Sequence, residues 1–406
     1  MDVVPATDAY FKKTIRVRLQ RRQLELDVAH DLFSGHELDA GSRLLLRSLA
    51  APEHEHRSSV LDLGCGYGPI GLALKMLNPA RSLDMVDRDA LALDFSRRNA
   101  ARNGLSDVEV YASLGWSQVR RSDYDLVVSN LPAKAGERAI QHFLLDARDH
   151  LKPGGTVAVV VIARLDELVR QLLVPGAGVE LTHEQRAAGY SVYHYRFGGQ
   201  PPESPGDHLD EDALSVYERA RLDWYFGDIR YRLRTAYSLP EFDTLGYQTR
   251  LMADQLLTGR RRPRAVLVFN PGQGHLPALI GKALAPERIT LAGRDLLALA
   301  YSRDNLVRND YPGDRIRVLH QTAIQPNDVE GVDLVVATLE DGQPNAISEL
   351  ELGAALDGLL PAGRVIVGGS STAVTRLEAS VTGGSRRPKV IARKRNRGHS
   401  AMEIGR

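Results

Sequence analysis

The sequence predicts an α/β chain built as two tandem copies of one domain, each a mostly parallel, twisted sheet with helices on both faces. Three observations carry this. The chain has 406 residues, too many for one ordinary core and comfortable for two domains. A 46-residue segment, "VLDLGCGYGPIGLALKMLNPARSLDMVDRDALALDFSRRNAARNGL" (60–105), recurs without a gap at 266–311, with 14 identical positions. Short β-rich runs alternate with amphipathic helical runs, the pattern of a parallel sheet.

Each element follows from its local pattern. "TIRVRL" (14–19) alternates apolar and charged residues, as a strand does when its arginines face water. "SVLDLG" (59–64) is an apolar strand ending in Gly, and "IGLALKML" (70–77) has helical periodicity. "SLDMVD" (82–87) is the next strand, and "ALALDFSRRNAARNG" (90–104) is a helix with a Gly stop. "YDLVVSN" (124–130) and "TVAVVVIA" (156–163) are further strands. The repeat extends outward from the core segment. "YFKKTIRVRL" (10–19) echoes "YFGDIRYRL" (225–233), "YDLVVSNL" (124–131) echoes "VDLVVATL" (332–339), and "LKPGGTVAVV" (151–160) echoes "LLPAGRVIVG" (359–368). "GYSVYHYRF" (189–197) echoes "GHSAMEIGR" (398–406). The expected organisation is therefore a first domain at 1–200, a solvated Pro/Gly/acid-rich linker at 201–212 and a second domain at 213–406.

Composition narrows the class. With 43% hydrophobic and 25% charged residues the chain is globular. Its single cysteine excludes an intramolecular disulfide and points to a reducing, cytoplasmic setting. No apolar run approaches a membrane span, and no signal peptide is visible. Arginine supplies 44 of the 52 basic residues. Coding bias explains that, and so does phosphate recognition by the guanidinium fork.

"DLGCGYGP" (62–69) closes a strand and opens a helix. Its glycines permit a tight turn and a close ligand approach. Asp62 stands two residues before the first Gly, and Asp87 ends the next strand, where a carboxylate can accept both hydroxyls of a ribose. Singly, Asp62 also reads as a helix-proximal cap and Asp87 as an ordinary strand-end acid. The loop lacks the Gly-Lys-Ser/Thr ending of a triphosphate loop. Cys65, within the loop, reads as structural.

On these motifs the first copy resembles the class I S-adenosylmethionine-dependent methyltransferases, a Rossmann-like fold. More narrowly, it is similar to the "methyltransferase small" group, including the RsmC-like ribosomal RNA guanine-N2 methyltransferases. "LFSGHELDAGSRLLL" (32–46) matches a pre-motif of that group. The resemblance implies S-adenosylmethionine as cofactor, bound by Asp39, Gly41, Asp62, Gly64, Gly66, Gly68, Asp87, Arg88, Ser113 and Asn130. Two departures stand out. The intact copy is N-terminal here and C-terminal in the RsmC-like proteins. Ser113 occupies the place of an acid that usually contacts the adenine amino group.

"NLPAKAG" (130–136) follows the fourth strand. It resembles the Asn-Pro-Pro-aromatic loop of enzymes that methylate base amino groups. The resemblance implies that the Asn130 side-chain oxygen and the Leu131 carbonyl accept the two N–H bonds of the target amine. Pro132 stiffens the loop. Ala133 replaces the aromatic that would stack on the base. Lys134 is a further candidate catalytic residue, able to meet a phosphate, the base or only solvent. Trp116, Tyr111 and Phe143 are substitute stackers or core residues.

The second copy keeps the apolar pattern and loses the ligand groups. Asp62 corresponds to Val268, Gly64 to Asn270, Asp87 to Gly293 and Asn130 to Thr338. It is expected to be a scaffold or an RNA-recognition domain. Basic clusters at 12–22, 259–264 and 385–397 are candidate phosphate contacts, the third foremost. The expected activity is methylation of a nucleobase amine in RNA, with guanine N2 of ribosomal RNA first. The alternatives are a glutamine amide of a protein, adenine N6, a small molecule, or a non-catalytic cofactor-binding protein of ribosome assembly. No metal or membrane partner is expected. A monomer is, with the second domain as internal partner.

Overall fold

The computed structural model describes residues 6–32, 37–50, 56–198, 213–258, 262–340, 342–383 and 388–405. The expected linker at 201–212 lies outside the described residues. The chain divides into two compact units: Phe11–Tyr217, and Glu218–Arg406 together with the residues up to Tyr10.

The short helix α1 (Ala6–Tyr10) thus belongs to the second unit, not to the domain expected at 1–200. Tyr10 is buried there, beside Glu351 and under the Arg294 guanidinium. Tyr217, in turn, is buried in the first unit, edge-on to His142. Each tyrosine that precedes one unit's first strand is packed into the other unit. A sequence repeat cannot show this, because it reports homology and not contact.

The first unit opens with an antiparallel hairpin of β1 (Phe11–Leu19) and β2 (Arg22–Ala29). Then follow α2 (Ala40–Ser48), β3 (Ser59–Leu63), α3 (Pro69–Leu77), β4 (Ser82–Asp87), α4 (Ala90–Arg102), β5 (Val108–Ala112) and β6 (Tyr124–Asn130). It ends with α5 (Glu137–Leu145), β7 (Leu151–Ile162), α6 (Asp166–Leu172), β8 (Val179–Ala187) and β9 (Tyr190–Phe197). The sheet order is β5-β4-β3-β6-β7-β9-β8, with the first five strands parallel. The β8–β9 hairpin closes it antiparallel. All five residues of β3 are buried, as a central parallel strand covered on both faces requires.

The second unit repeats this. β10 (Glu218–Phe226) and β11 (Ile229–Ala236) form the hairpin. α7 (Tyr247–Leu257), β12 (Ala265–Phe269), α8 (His275–Ala283), β13 (Arg288–Gly293), α9 (Leu296–Arg308) and β14 (Ile316–His320) follow. β15 (Leu334–Thr338), α10 (Asn345–Gly358), β16 (Arg364–Ser370), α11 (Ser371–Gly383), β17 (Lys389–Asn396) and β18 (His399–Gly405) complete it. Its sheet order, β14-β13-β12-β15-β16-β18-β17, matches the first strand for strand.

One expected echo is corrected. The hairpins align β1 with β10 and β2 with β11, each with a bulge at its start. "YFKKTIRVRL" (10–19) therefore pairs with 217–226, and not with 225–233. Two retained asparagines explain part of the repeat. Asn99 of α4 and Asn103, its C-cap, bond the backbone of β2, with Asn99 accepting from Asp27 N at 2.7 Å and Asn103 from Glu25 N at 3.0 Å. Asn305 of α9 and its C-cap Asn309 do the same for Arg234 and Arg232 of β11. These side chains satisfy strand-edge groups that would otherwise be buried unpaired.

Candidate active site

The loop between β3 and α3 sits at the carboxyl end of the sheet. Gly64, Gly66 and Gly68 all have positive φ, at 78°, 57° and 89°. A Cβ on Gly64 or Gly66 would meet nothing within 4 Å. Glycine is needed there for the backbone conformation, and the outer face of the loop is open to a ligand. Gly64 N and Cys65 N donate to Val86 O at 2.8 and 3.0 Å, which fastens the loop to β4. Cys65 is buried, and burial raises its thiol pKa, so it is an inert packing residue.

Asp87 ends β4. One carboxylate oxygen accepts Gly66 N and the other Asp89 N, both at 2.9 Å. Burial raises its pKa. A carboxylate at this strand end, over an open glycine loop, fits the ribose of S-adenosylmethionine. Arg88 follows it directly, and its charge lowers the Asp87 pKa.

Asp62 lies beneath the loop, with one carboxylate oxygen, Oδ1, buried and unpaired among the described residues. It is 1% exposed, and its Oδ2 accepts Gly71 N at 2.7 Å, in the first turn of α3. Burial pushes its pKa up to about 7, against the lowering effect of the Gly71 bond and with a further rise from Asp87. It is the helix cap beneath the loop. Ser113 is also re-read. Its hydroxyl donates to Gly115 O at 2.6 Å and accepts Gln118 N at 3.1 Å. The side chain expected at the adenine closes its own turn.

Asn130 is the last residue of β6. Its amide nitrogen donates to Asp39 Oδ2 at 2.8 Å and to Ser42 Oγ at 3.2 Å. Asp39 is the N-cap of α2 and also accepts Ser42 N at 2.9 Å. Tyr190, the first residue of β9, donates to the other oxygen of Asp39 at 2.9 Å. Asp39 therefore orients Asn130, and its contacts are to protein groups. Gly41 has a packing reason: a Cβ there would lie 2.7 Å from the Tyr190 ring. Tyr190 escaped the sequence reading because it is 60 residues from the Asn130 loop and belongs to no local motif; its place in the repeat opposite His399 was the only signal.

Past Asn130, Leu131 is buried and its N–H continues the ladder to Val160 O at 3.0 Å. Pro132 is exposed, and Ala135 N closes a turn onto its carbonyl. Lys134 is exposed on that turn. Trp116, Tyr111 and Phe143 are all buried core residues. Burial and the Asp39 charge raise the pKa of Tyr67, which places this glycine-loop residue near the Asn130 network. The structure thus unites the glycine loop, Asp87, Asp39, Ser42, Asn130 and Tyr190 at one end of the sheet.

In the second unit the same place keeps a cavity of about 1050 Å³, lined by Asn270, Gly272, Gly293 and Thr338, but the carboxylate is gone. A Cβ on Gly293 would lie 3.1 Å from Asn270 Oδ1, so the Asn270 side chain fills the space of the lost carboxylate. Asn270 holds a positive φ of 52° and donates to Thr338 O at 3.3 Å.

Comparison with known proteins agrees with this division. The methyltransferase small domain family matches residues 23–193. The Bacillus subtilis protein YbxB is 33% identical over 173 residues, covering 40% of this chain and 85% of that protein. Ribosomal RNA small subunit methyltransferase C of Aeromonas hydrophila is 44% identical over 138 residues, covering 33% of this chain and 39% of that relative. The match thus spans about two-fifths of that enzyme's length. The solved structure of the T. thermophilus 16S rRNA N2 methyltransferase RsmC, in complex with AdoMet and guanosine, is 16% identical. It aligns with a TM-score of 0.65 over 98% of this chain and 99% of its own, so both units share its fold. On its motifs, its site and these matches, the chain belongs to the methyltransferase small family.

Proposed function

We propose that this methyltransferase transfers the methyl group of S-adenosylmethionine to the exocyclic N2 amine of a guanine in ribosomal RNA. The observation that carries the reading is the oriented Asn130. Its amide N–H groups face Asp39 and Ser42, which leaves Oδ1 as an acceptor at the strand end, beside the glycine loop. The relatives named as ribosomal RNA methyltransferases and the guanosine-bound structure of the same fold support the substrate class.

The bound cofactor supplies an electrophilic methyl group on a sulfonium. The protein's part is alignment. Gly64, Gly66 and Asp87 would hold the cofactor at the loop. Asn130 Oδ1 and the Leu131 carbonyl would accept the two N–H bonds of the amine, turning its lone pair away from the ring and toward the methyl carbon. The anionic Asp39 polarises the Asn130 amide and strengthens Oδ1 as an acceptor. With the cofactor bound, its sulfonium would give the methyl group to this lone pair and leave as the neutral thioether, and the methylated amine would release its proton to solvent. Removal of an acceptor of this kind costs about 10²–10³ in kcat.

The test is to map methylated nucleotides in RNA from cells with and without the gene, alongside labelled methyl transfer to RNA and protein fractions. A missing N2-methylguanine, restored by the wild-type chain and not by Asn130→Ala, is expected. Transfer to protein alone overturns the RNA reading.

A further inference from the structure

The β1–β2 hairpin and α2 enclose a groove of about 820 Å³ that the methyl-transfer chemistry does not use. Its floor is apolar and recessed: Ile15, Leu38 and Leu46 are 5–8% exposed. Its rim carries four arginines, Arg16 and Arg18 from β1 and Arg43 and Arg47 from α2. Arg16 pairs at the surface with Glu25 at 3.0 Å, and Arg43 with Glu37 at 3.5 Å while also donating to Leu38 O at 3.1 Å. Such pairs contribute little and exchange readily for a stronger anion. Arg18 and Arg47 are exposed, and no described carboxylate pairs with either.

The second unit has a smaller groove on its own hairpin, against α9 and not against α7, the counterpart of α2. It holds about 450 Å³ and is also arginine-rich. There Arg221 pairs with Glu218 at 2.9 Å and Arg308 with Asp304 at 2.5 Å.

The groove is also joined to the site. Arg43 and Arg47 are one turn apart on α2, and the N-cap of that helix is Asp39, which orients Asn130. Arg47 is eight residues along the helix from Asp39, a rise of about 12 Å. We propose that this groove binds the phosphate backbone of single-stranded RNA flanking the target nucleotide, with Arg18 and Arg47 as the principal phosphate contacts. Guanidinium groups suit phosphate by their fork geometry. A membrane fits less well, because the apolar side chains lie recessed in a concavity and do not protrude. The proposal deepens the RNA reading above, and its test is separable from it.

The experiment measures binding of a labelled 20-nucleotide single-stranded RNA to the full chain by fluorescence anisotropy across a salt series. The variants are the double substitution Arg18→Glu with Arg47→Glu, and the milder Arg18→Gln with Arg47→Gln. Cofactor affinity by calorimetry serves as the fold control. The expected result is at least a tenfold weaker RNA Kd in both variants with unchanged cofactor affinity. The slope of log K against log salt should fall by about 1.4, the loss of two phosphate contacts on a single strand. Unchanged RNA affinity and slope in the milder variant, with cofactor binding intact, overturns the proposal. So does loss of binding to vesicles of anionic phospholipid with RNA binding unmoved. If the wild-type chain binds RNA through the groove yet methylates none, the groove stands and the function assigned above fails.

Discussion

Asn130 donates its amide to the carboxylate of Asp39 across 2.8 Å, joining residues 91 positions apart. The flipped amide would set its oxygen against the carboxylate, so the anion decides which atom of Asn130 faces outward. Removing Asp39 should therefore act on turnover. Asp39→Ala is expected to lower kcat by about 10–100-fold, as loss of an orienting partner does, and to cost about 1 kcal/mol as a lost helix cap. Steady-state kinetics with RNA and a melting curve check both. An unchanged kcat shows that Asn130 holds its orientation without Asp39.

Asp87 grips the glycine loop through Gly66 N, and the proposed cofactor site rests on its carboxylate. Asp87→Ala is expected to abolish measurable cofactor binding. Asn130→Ala should retain cofactor binding and lose transfer by about 10²–10³ in kcat. Calorimetry and single-turnover assays separate the two. Loss of binding in both variants would mean that Asn130 also holds the cofactor.

Asp62 has a pKa raised to about 7 in the folded chain, from 3.8. The folded state therefore holds its proton over a range in which the unfolded chain has released it. The contribution of Asp62 to stability is greatest below about pH 4 and declines as pH rises toward 7. Asp62→Asn keeps an oxygen for Gly71 N and removes the titration. Denaturant melts at several pH values should show a shallower fall in stability between pH 4 and 7 than in the wild type, by on the order of 1–3 kcal/mol. An identical slope in the two proteins rejects the assignment.

Gly293 and Asn270 have exchanged space with the lost carboxylate of the second unit. Gly293→Asp alone should be destabilising by about 1–3 kcal/mol, since the new side chain meets Asn270 Oδ1. Adding Asn270→Gly should recover part of that loss, a non-additivity visible in a double-mutant cycle. Additive losses would show that the two positions do not share one space.

Much of this protein is determined by local sequence. The strands, the helices α3 and α4, the glycine loop and Asp87 are short-range patterns of apolar period, caps and turns. The duplication is equally legible, because 206-residue homology survives in the apolar core and in asparagines that tie helix to hairpin. Only the tertiary structure decided what each polar group faces. Asp39 and Ser42 at the start of α2, Asn130 of β6 and Tyr190 of β9 come from three separate elements and meet only when β6, β7 and β9 lie side by side. That Asp62 is buried and caps α3 through Gly71 N is a contact no local motif records. Tyr10 and Tyr217 each belong in sequence to one unit and in packing to the other. Periodicity records which side of an element is buried; hydrogen-bond partners depend on which elements become neighbours.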